Sequence, residues 1–263
     1  MLLLLFIGFS ISWTPSFHQA FASYYAKSHY PNLTKSQYES FILGAMYADG
    51  VNKTISHKVI PMVKKINSVT NQSSDLYWFL LGIFNHIAID TFAHAGLENS
   101  FIVPKGLKHH LSEIATCSWA QHHMKTRYFT IPSDLKDQVS EIGISFKSNF
   151  RYLYPICYFF AKFIPAHWLF PFIHKSPCNI KSYKEADCMF RRHLDAMVKA
   201  AEKIMALSHD STLTQFGVKT IVYGYLNNIQ CCSKSDVLAE INATFAIHNS
   251  RSEQLLDDRR VSL

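Results

Sequence analysis

Three residues able to ligate a metal, His86, Asp90 and His94, recur at every fourth position of the stretch FLLGIFNHIAIDTFAHAG, Phe79 to Gly96. In a helix that turns about 100° per residue, this spacing spreads them over only about 80° of one face. Two imidazoles and a carboxylate then point into the same cleft, which is the donor chemistry of zinc. The intervening Leu80, Leu81, Ile83, Phe84, Ile87, Ala88, Ile89 and Phe92 make the helix apolar nearly all round, so it belongs at the centre of the fold.

Further donors stand on neighbouring segments. His109 and Glu113 form a second imidazole–carboxylate pair at helical spacing, on the next expected helix. Trp13 and His18 lie where removal of a leader would leave a free α-amine, which chelates a metal together with its own carbonyl oxygen. Asp49 and His57 complete the set, His57 being the only histidine between His29 and His86.

The elements that must position these residues read as helices throughout. Apolar residues recur at three and four positions, and no alternating Val/Ile/Thr-rich runs occur, so the expected class is all-α. Helices are expected from Phe17 to Ser28, Lys35 to Tyr47, roughly Thr54 to Val69 with His57 near its start, and Leu107 to Lys125 after the breaker Pro104-Lys105-Gly106. Ser133 to Ser148 is expected to follow, with Ser133 as N-cap, and then Tyr183 to Ser208 with an apolar stripe through Met189, Phe190, Leu194, Met197, Val198, Ala201, Ile204 and Met205. Tyr152 to Ile173 is strongly aromatic but broken by Pro155, Pro165 and Pro171, which excludes a spanning helix and leaves a buried connection or a membrane-interface element.

At 263 residues and 48% hydrophobic content, one domain suffices to bury a core. Met1 to Ser12 reads as a short secretory signal that leaves Trp13 first, residues 13–248 as the domain, and Asn249 to Leu263 as a polar tail. N-x-Ser/Thr sequons at Asn32, Asn52, Asn71 and Asn242 fit a secreted glycoprotein. Cys117, Cys157, Cys178, Cys188, Cys231 and Cys232 lack CxxC spacing and suggest up to three disulfides, with Cys178–Cys188 a plausible local pair. The formal charge of +7 favours an anionic partner, but its lysines and arginines are scattered rather than gathered in a run.

Taken together, Trp13, His18, the FILGAMYAD block ending at Asp49, His57, the central block and His109 with Glu113 resemble the zinc-dependent phospholipase C/D group. That group comprises the bacterial three-zinc phospholipases C, the clostridial alpha-toxin catalytic domain and the amino-terminal domain of GPI-specific phospholipase D, and it shares its fold with the fungal single-strand nucleases. The resemblance covers Trp13 to Glu113 and implies a multi-helix bundle around up to three zinc ions. It implies one zinc on Asp49, His57, His86 and Asp90, a second on His94, His109 and Glu113, and a third on the Trp13 amine and carbonyl, His18 and Asp90. Asp49 is then the residue implied to polarise or deprotonate the attacking water.

Clustered zinc suits phosphodiester hydrolysis, because it neutralises the non-bridging oxygens and lowers the pKa of bound water to about 7. The implied activity is that of a secreted phosphodiesterase acting on a phospholipid or glycosyl-phosphatidylinositol headgroup at a membrane surface. Two departures or distinctions matter. The interval from Asp49 to His57 is shorter than the family pattern, and the Asp90-to-His94 spacing matches the phospholipase D-like members rather than the nucleases, which disfavours a nucleic-acid substrate. A single-strand nuclease and a non-catalytic zinc-stabilised binding module are the alternatives.

Overall fold

In a computed structural model of the chain, residues 15–94, 117–124, 126, 129–147, 163, 182–233 and 235–236 are described. Every regular element among them is a helix, in keeping with the all-α expectation: α1 (Pro15–His29), α2 (Lys35–Tyr47), α3 (Lys53–Ser56), α4 (Val59–Ser68), α5 (Asp75–Phe92), α6 (Ser133–Glu141), α7 (Tyr183–Met205) and α8 (Gln215–Leu226). A further helical segment runs through 117–123. No helix among the described residues is long and apolar enough to cross a membrane.

Local chemistry sets the helix starts. α1 begins on Pro15, whose missing N–H and fixed φ suit a first helical position. Thr34 and Gln37 cap α2 reciprocally, each side chain bonding the other's backbone N–H. Ser74 caps α5 by accepting from the Tyr77 N–H, with Asp75 in the favourable first turn. Ser182 and Thr214 cap α7 and α8 in the same way.

Helix α5 is the hub: fourteen of its residues, Tyr77 to Phe92 save Trp78 and Asp90, are buried. It packs most extensively on α2, and also against α7, α4, α8 and α1. The α2–α5 crossing rests on two glycines. A Cβ on Gly44 would lie 2.0 Å from the Phe79 carbonyl oxygen, and one on Gly82 would lie 2.1 Å from that of Phe41. Each glycine therefore faces a carbonyl one turn before the other glycine, and only a hydrogen in place of a side chain lets the backbones approach so closely.

Four expectations are corrected. The third expected helix is interrupted: α3 ends at Ser56, His57 is its C-cap, and α4 starts at Val59, so His57 sits in a corner rather than on a helix face. Helix α6 has Pro132 at the cap position and Ser133 as its first residue, and it ends at Glu141 rather than Ser148. Gly143 at φ +76° turns the chain there, and Phe146 pairs with Val51 as an isolated antiparallel bridge. Cys188 is bonded to Cys232 and not to Cys178; it lies on α7, and Cys232 follows α8, so the bond ties two packed helices. Helix α8 was absent from the expected elements altogether; its inward Val218 and Val222 anchor it.

Gly82→Ala is expected to lower stability by about 1–3 kcal/mol or more, because the added methyl collides with backbone, which cannot rotate aside. In an open helix the same change would gain about 1 kcal/mol. Thermal denaturation of the variant showing an unchanged or higher Tm would contradict the close crossing.

Candidate metal centre

The glycine crossing determines where the ligands meet. Ala45 follows Gly44, and His86 lies one turn beyond Gly82, so the carbonyl of Ala45 accepts a hydrogen bond from Nδ1 of His86 at 3.0 Å. A carbonyl only accepts, so Nδ1 carries the proton and Nε2 of the neutral ring presents a lone pair. That Nε2 is buried without a hydrogen-bond partner among the described residues, and it faces Oδ1 of Asp49 at 3.7 Å.

Asp49 occupies a 3-10 turn, Ala48–Gly50, that ends α2. The turn is held by residues distant in the chain. Lys147 donates its ammonium to the Asp49 carbonyl oxygen at 2.7 Å and its N–H to that of Gly50 at 2.7 Å, while the Asn52 N–H donates to Ser145. From the α3–α4 corner His57 brings Nε2 to 3.0 Å from Oδ1 of Asp49, and its Nδ1 lies 2.8 Å from Oγ of Ser56. Thus the short interval between Asp49 and His57 still lets the two side chains meet.

From α1, His18 is fully buried, and neither ring nitrogen has a hydrogen-bond partner among the described residues. Its ring packs against that of His86 with centroids 3.9 Å apart. One turn after His86, Asp90 brings Oδ1 to 3.2 Å from Nε2 of His94, which lies just past the end of α5. Two groups of donor atoms lie mutually within 4.8 Å: His18, Asp49 and His86, and His57, His86 and Asp90. His86 belongs to both. His18, which the resemblance pairs with Asp90, therefore also stands beside Asp49 and His86.

Trp13, His109 and Glu113 lie outside the described residues. Ser56, Lys147, the Ala45 carbonyl and the two crossing glycines were not singled out in the sequence. The glycines carried a signal, since each interrupts an otherwise apolar helical run. Ser56 had only its adjacency to His57, and Lys147 had none.

Electrostatics follow from burial. Burial pushes His18 down to about 3, with the charge of neighbouring His86 adding to the effect. Burial likewise lowers His86. Burial alone would raise Asp49, but His86 and the hydrogen bond with His57 outweigh it and hold the carboxyl below its ordinary value. Asp90 is lowered in the same way, chiefly by the hydrogen bond and charge of His94 working against burial. At neutral pH the centre thus offers the neutral imidazoles of His18 and His86 and the ionised carboxylates of Asp49 and Asp90.

This donor set fits zinc. His86 Nε2 and Asp49 Oδ1 are two acceptors facing each other across 3.7 Å, a gap that zinc–ligand bonds of about 2.0–2.1 Å can bridge. The Nδ1 bond to Ala45 is the outer contact that fixes a ligating imidazole, and neutral His18 has one lone-pair nitrogen that no hydrogen bond among the described residues engages. No proton needs to be displaced from His18 before it ligates.

A helical bundle whose buried centre gathers imidazoles and carboxylates in this state has the donor set of a metal-binding protein. Residues 17–153, more than half of the chain, match the sequence model of the zinc dependent phospholipase C family, and the chain belongs to that family. The match includes His18, Asp49, His57, His86, Asp90, His94, His109 and Glu113, and it begins after Trp13. No individual curated protein and no solved structure matches the chain.

The pH dependence of the metal-free protein tests this electrostatic picture. His18 is neutral when folded and has a folded pKa below its ordinary 6.5, so between 6.5 and about 3 the unfolded chain binds more protons. Its contribution to stability is complete above 6.5 and is lost as pH falls, by about 1.4 kcal/mol per pH unit. Denaturant unfolding at stepped pH should show that loss in the metal-free protein, and His18→Leu should make it shallower while leaving the share due to buried His86. An equally steep profile in the variant would contradict the burial of a neutral His18.

Proposed function

We propose that the protein is a secreted, zinc-loaded phosphodiesterase that hydrolyses a headgroup phosphodiester bond of a phospholipid or of a glycosyl-phosphatidylinositol. The observation that carries this reading is the pair of buried acceptors, His86 Nε2 and Asp49 Oδ1, facing each other with no proton of their own between them. Membership of the zinc dependent phospholipase C family supplies the reaction class.

The proposed zinc ligands are Asp49, His57, His86 and Asp90 around one ion; His94, His109 and Glu113 around a second; and the Trp13 amine and carbonyl, His18 and Asp90 around a third. Bound there, zinc supplies positive charge against the phosphodiester's oxygens and makes water acidic enough to ionise near neutral pH. The chain's own contribution is orientation and proton handling. Asp49 is anionic, is fixed by His57 and by the Lys147 bond to its backbone, and is the carboxylate proposed to orient the attacking water and accept its proton. Phe79, Phe84 and Phe92 of α5 are buried apolar residues, proposed to keep bulk water out of the surrounding core.

Export is supported by the Cys188–Cys232 disulfide, which persists in oxidising compartments, and by exposed sequon residues Asn32 and Asn71. The leader through Ser12, with Trp13 as the mature N-terminus, forms part of the same proposal. N-terminal sequencing combined with metal analysis checks it: a chain starting at Trp13 should hold three zinc ions, and one retaining Met1 at most two.

Activity is tested on the chelated protein restored with zinc, by following release of phosphorylated headgroup or of phosphatidic acid from phosphatidylcholine and phosphatidylinositol vesicles. Asp49→Asn should lower turnover by a factor of about 10²–10⁴ while most of the zinc stays bound. Robust cleavage of single-stranded DNA with no hydrolysis of any lipid would overturn the reading, and full activity in the Asn variant would remove Asp49 from its role.

A further inference from the structure

Helix α8 lies beyond the family match and contributes nothing to the metal centre, yet its outward face is unusual. Val218 and Val222 hold its inner side against the bundle. On the outer side Phe216 is 79% exposed and Tyr223 41%, with exposed Lys219 between them at positions three and four residues away. One exposed phenylalanine is ordinary, but this one shares a helix face with a second exposed aromatic and a cation.

The neighbouring surface has the same character. Helix α4 packs against α8, and its solvent side shows Ile60, 43% exposed, with exposed Lys64 and the exposed N-cap residue Lys58. Neither α4 nor α8 contains a single acidic residue. The nearest carboxylate before α8 in the chain, Asp210, is bonded to the Thr212 backbone N–H and hydroxyl. Exposed aromatic and aliphatic side chains on helices whose only charged residues are lysines match one kind of surface well. Apolar groups enter the headgroup layer of a bilayer, and ammonium groups reach its phosphates.

We infer that the outer face of α8, with the adjoining face of α4, is a docking surface for a bilayer containing anionic phospholipid. This rests on the phospholipid reading of the catalytic site for its choice of occupant. Phe216 and Tyr223 insert at the level of the headgroups, and Lys219, Lys58 and Lys64 pair with lipid phosphates, so the enzyme is retained on the surface that carries its substrate. A second copy of the chain would use the same aromatics, and the test distinguishes it.

The full-length protein is sedimented with vesicles of phosphatidylcholine alone and of phosphatidylcholine mixed with phosphatidylglycerol. Wild type should bind the mixed vesicles more tightly. Lys219→Glu should weaken that binding about five-fold or more, and Phe216→Ser with Tyr223→Ser about ten-fold or more. All variants should hydrolyse a monomeric, short-chain phosphatidylcholine at the wild-type rate, which shows them folded. Equal binding by wild type and variants, or no preference for anionic vesicles, overturns the inference. So does a wild-type dimer in sedimentation velocity that Phe216→Ser converts to monomer while vesicle binding is unchanged. Vesicle binding that the variants lose, in a protein that hydrolyses no lipid, supports the docking face and rejects the catalytic reading instead.

Discussion

The constraint on which this structure depends is the approach of two backbones. At Gly44 and Gly82 the helices α2 and α5 come so close that a methyl on either would overlap the other's carbonyl. This sets the level of Ala45 against His86, and the hydrogen bond between them selects the tautomer whose lone pair faces Asp49. A wider crossing would leave that imidazole free to rotate or to take a proton. The chemistry of the centre is therefore decided partly by residues with no side chain at all.

The same geometry sets an electrostatic problem. His18 and His86 are fully buried, Asp49 and Asp90 are mostly so, and a cluster of this kind is costly to desolvate unless its charges are matched. The imidazoles answer by staying neutral, the carboxylates by drawing on His57 and His94. What remains is excess acceptor capacity, which a divalent cation satisfies. Folding and metal loading are linked in such an arrangement, because the assembled donors exist only in the folded chain.

Much of this was legible in the sequence, for identifiable reasons. The four-residue recurrence of His86, Asp90 and His94 is a helical period, and its apolar setting placed that helix at the centre. Asp49 and His57 were legible as donors through the resemblance, but the corner that brings His57 back to Asp49 was not. The break between Ser56 and Val59 is marked only by Pro61 in the first turn of α4, which signals a helix start but not the direction in which His57 turns. The anchoring of the Asp49 turn by residues 145–147 is a contact across about a hundred positions, invisible to local pattern. The Cys188–Cys232 pairing likewise follows from the packing of α7 and α8 rather than from proximity in the chain. Helix α8 escaped notice because its glycines, Gly217 and Gly224, dilute the periodic signal.

In the proposed zinc-loaded state the lone pairs of His86 and His18 and the Asp49 carboxylate converge on the metal. Anomalous diffraction at the zinc absorption edge, from crystals of the zinc-loaded protein, tests this convergence most directly. A zinc peak is expected within about 2.0–2.2 Å of His86 Nε2 and of an Asp49 oxygen, with His18 bound to a zinc of the same cluster. Zinc confined to other residues, with His86 Nε2 and both His18 nitrogens left unligated, would contradict it.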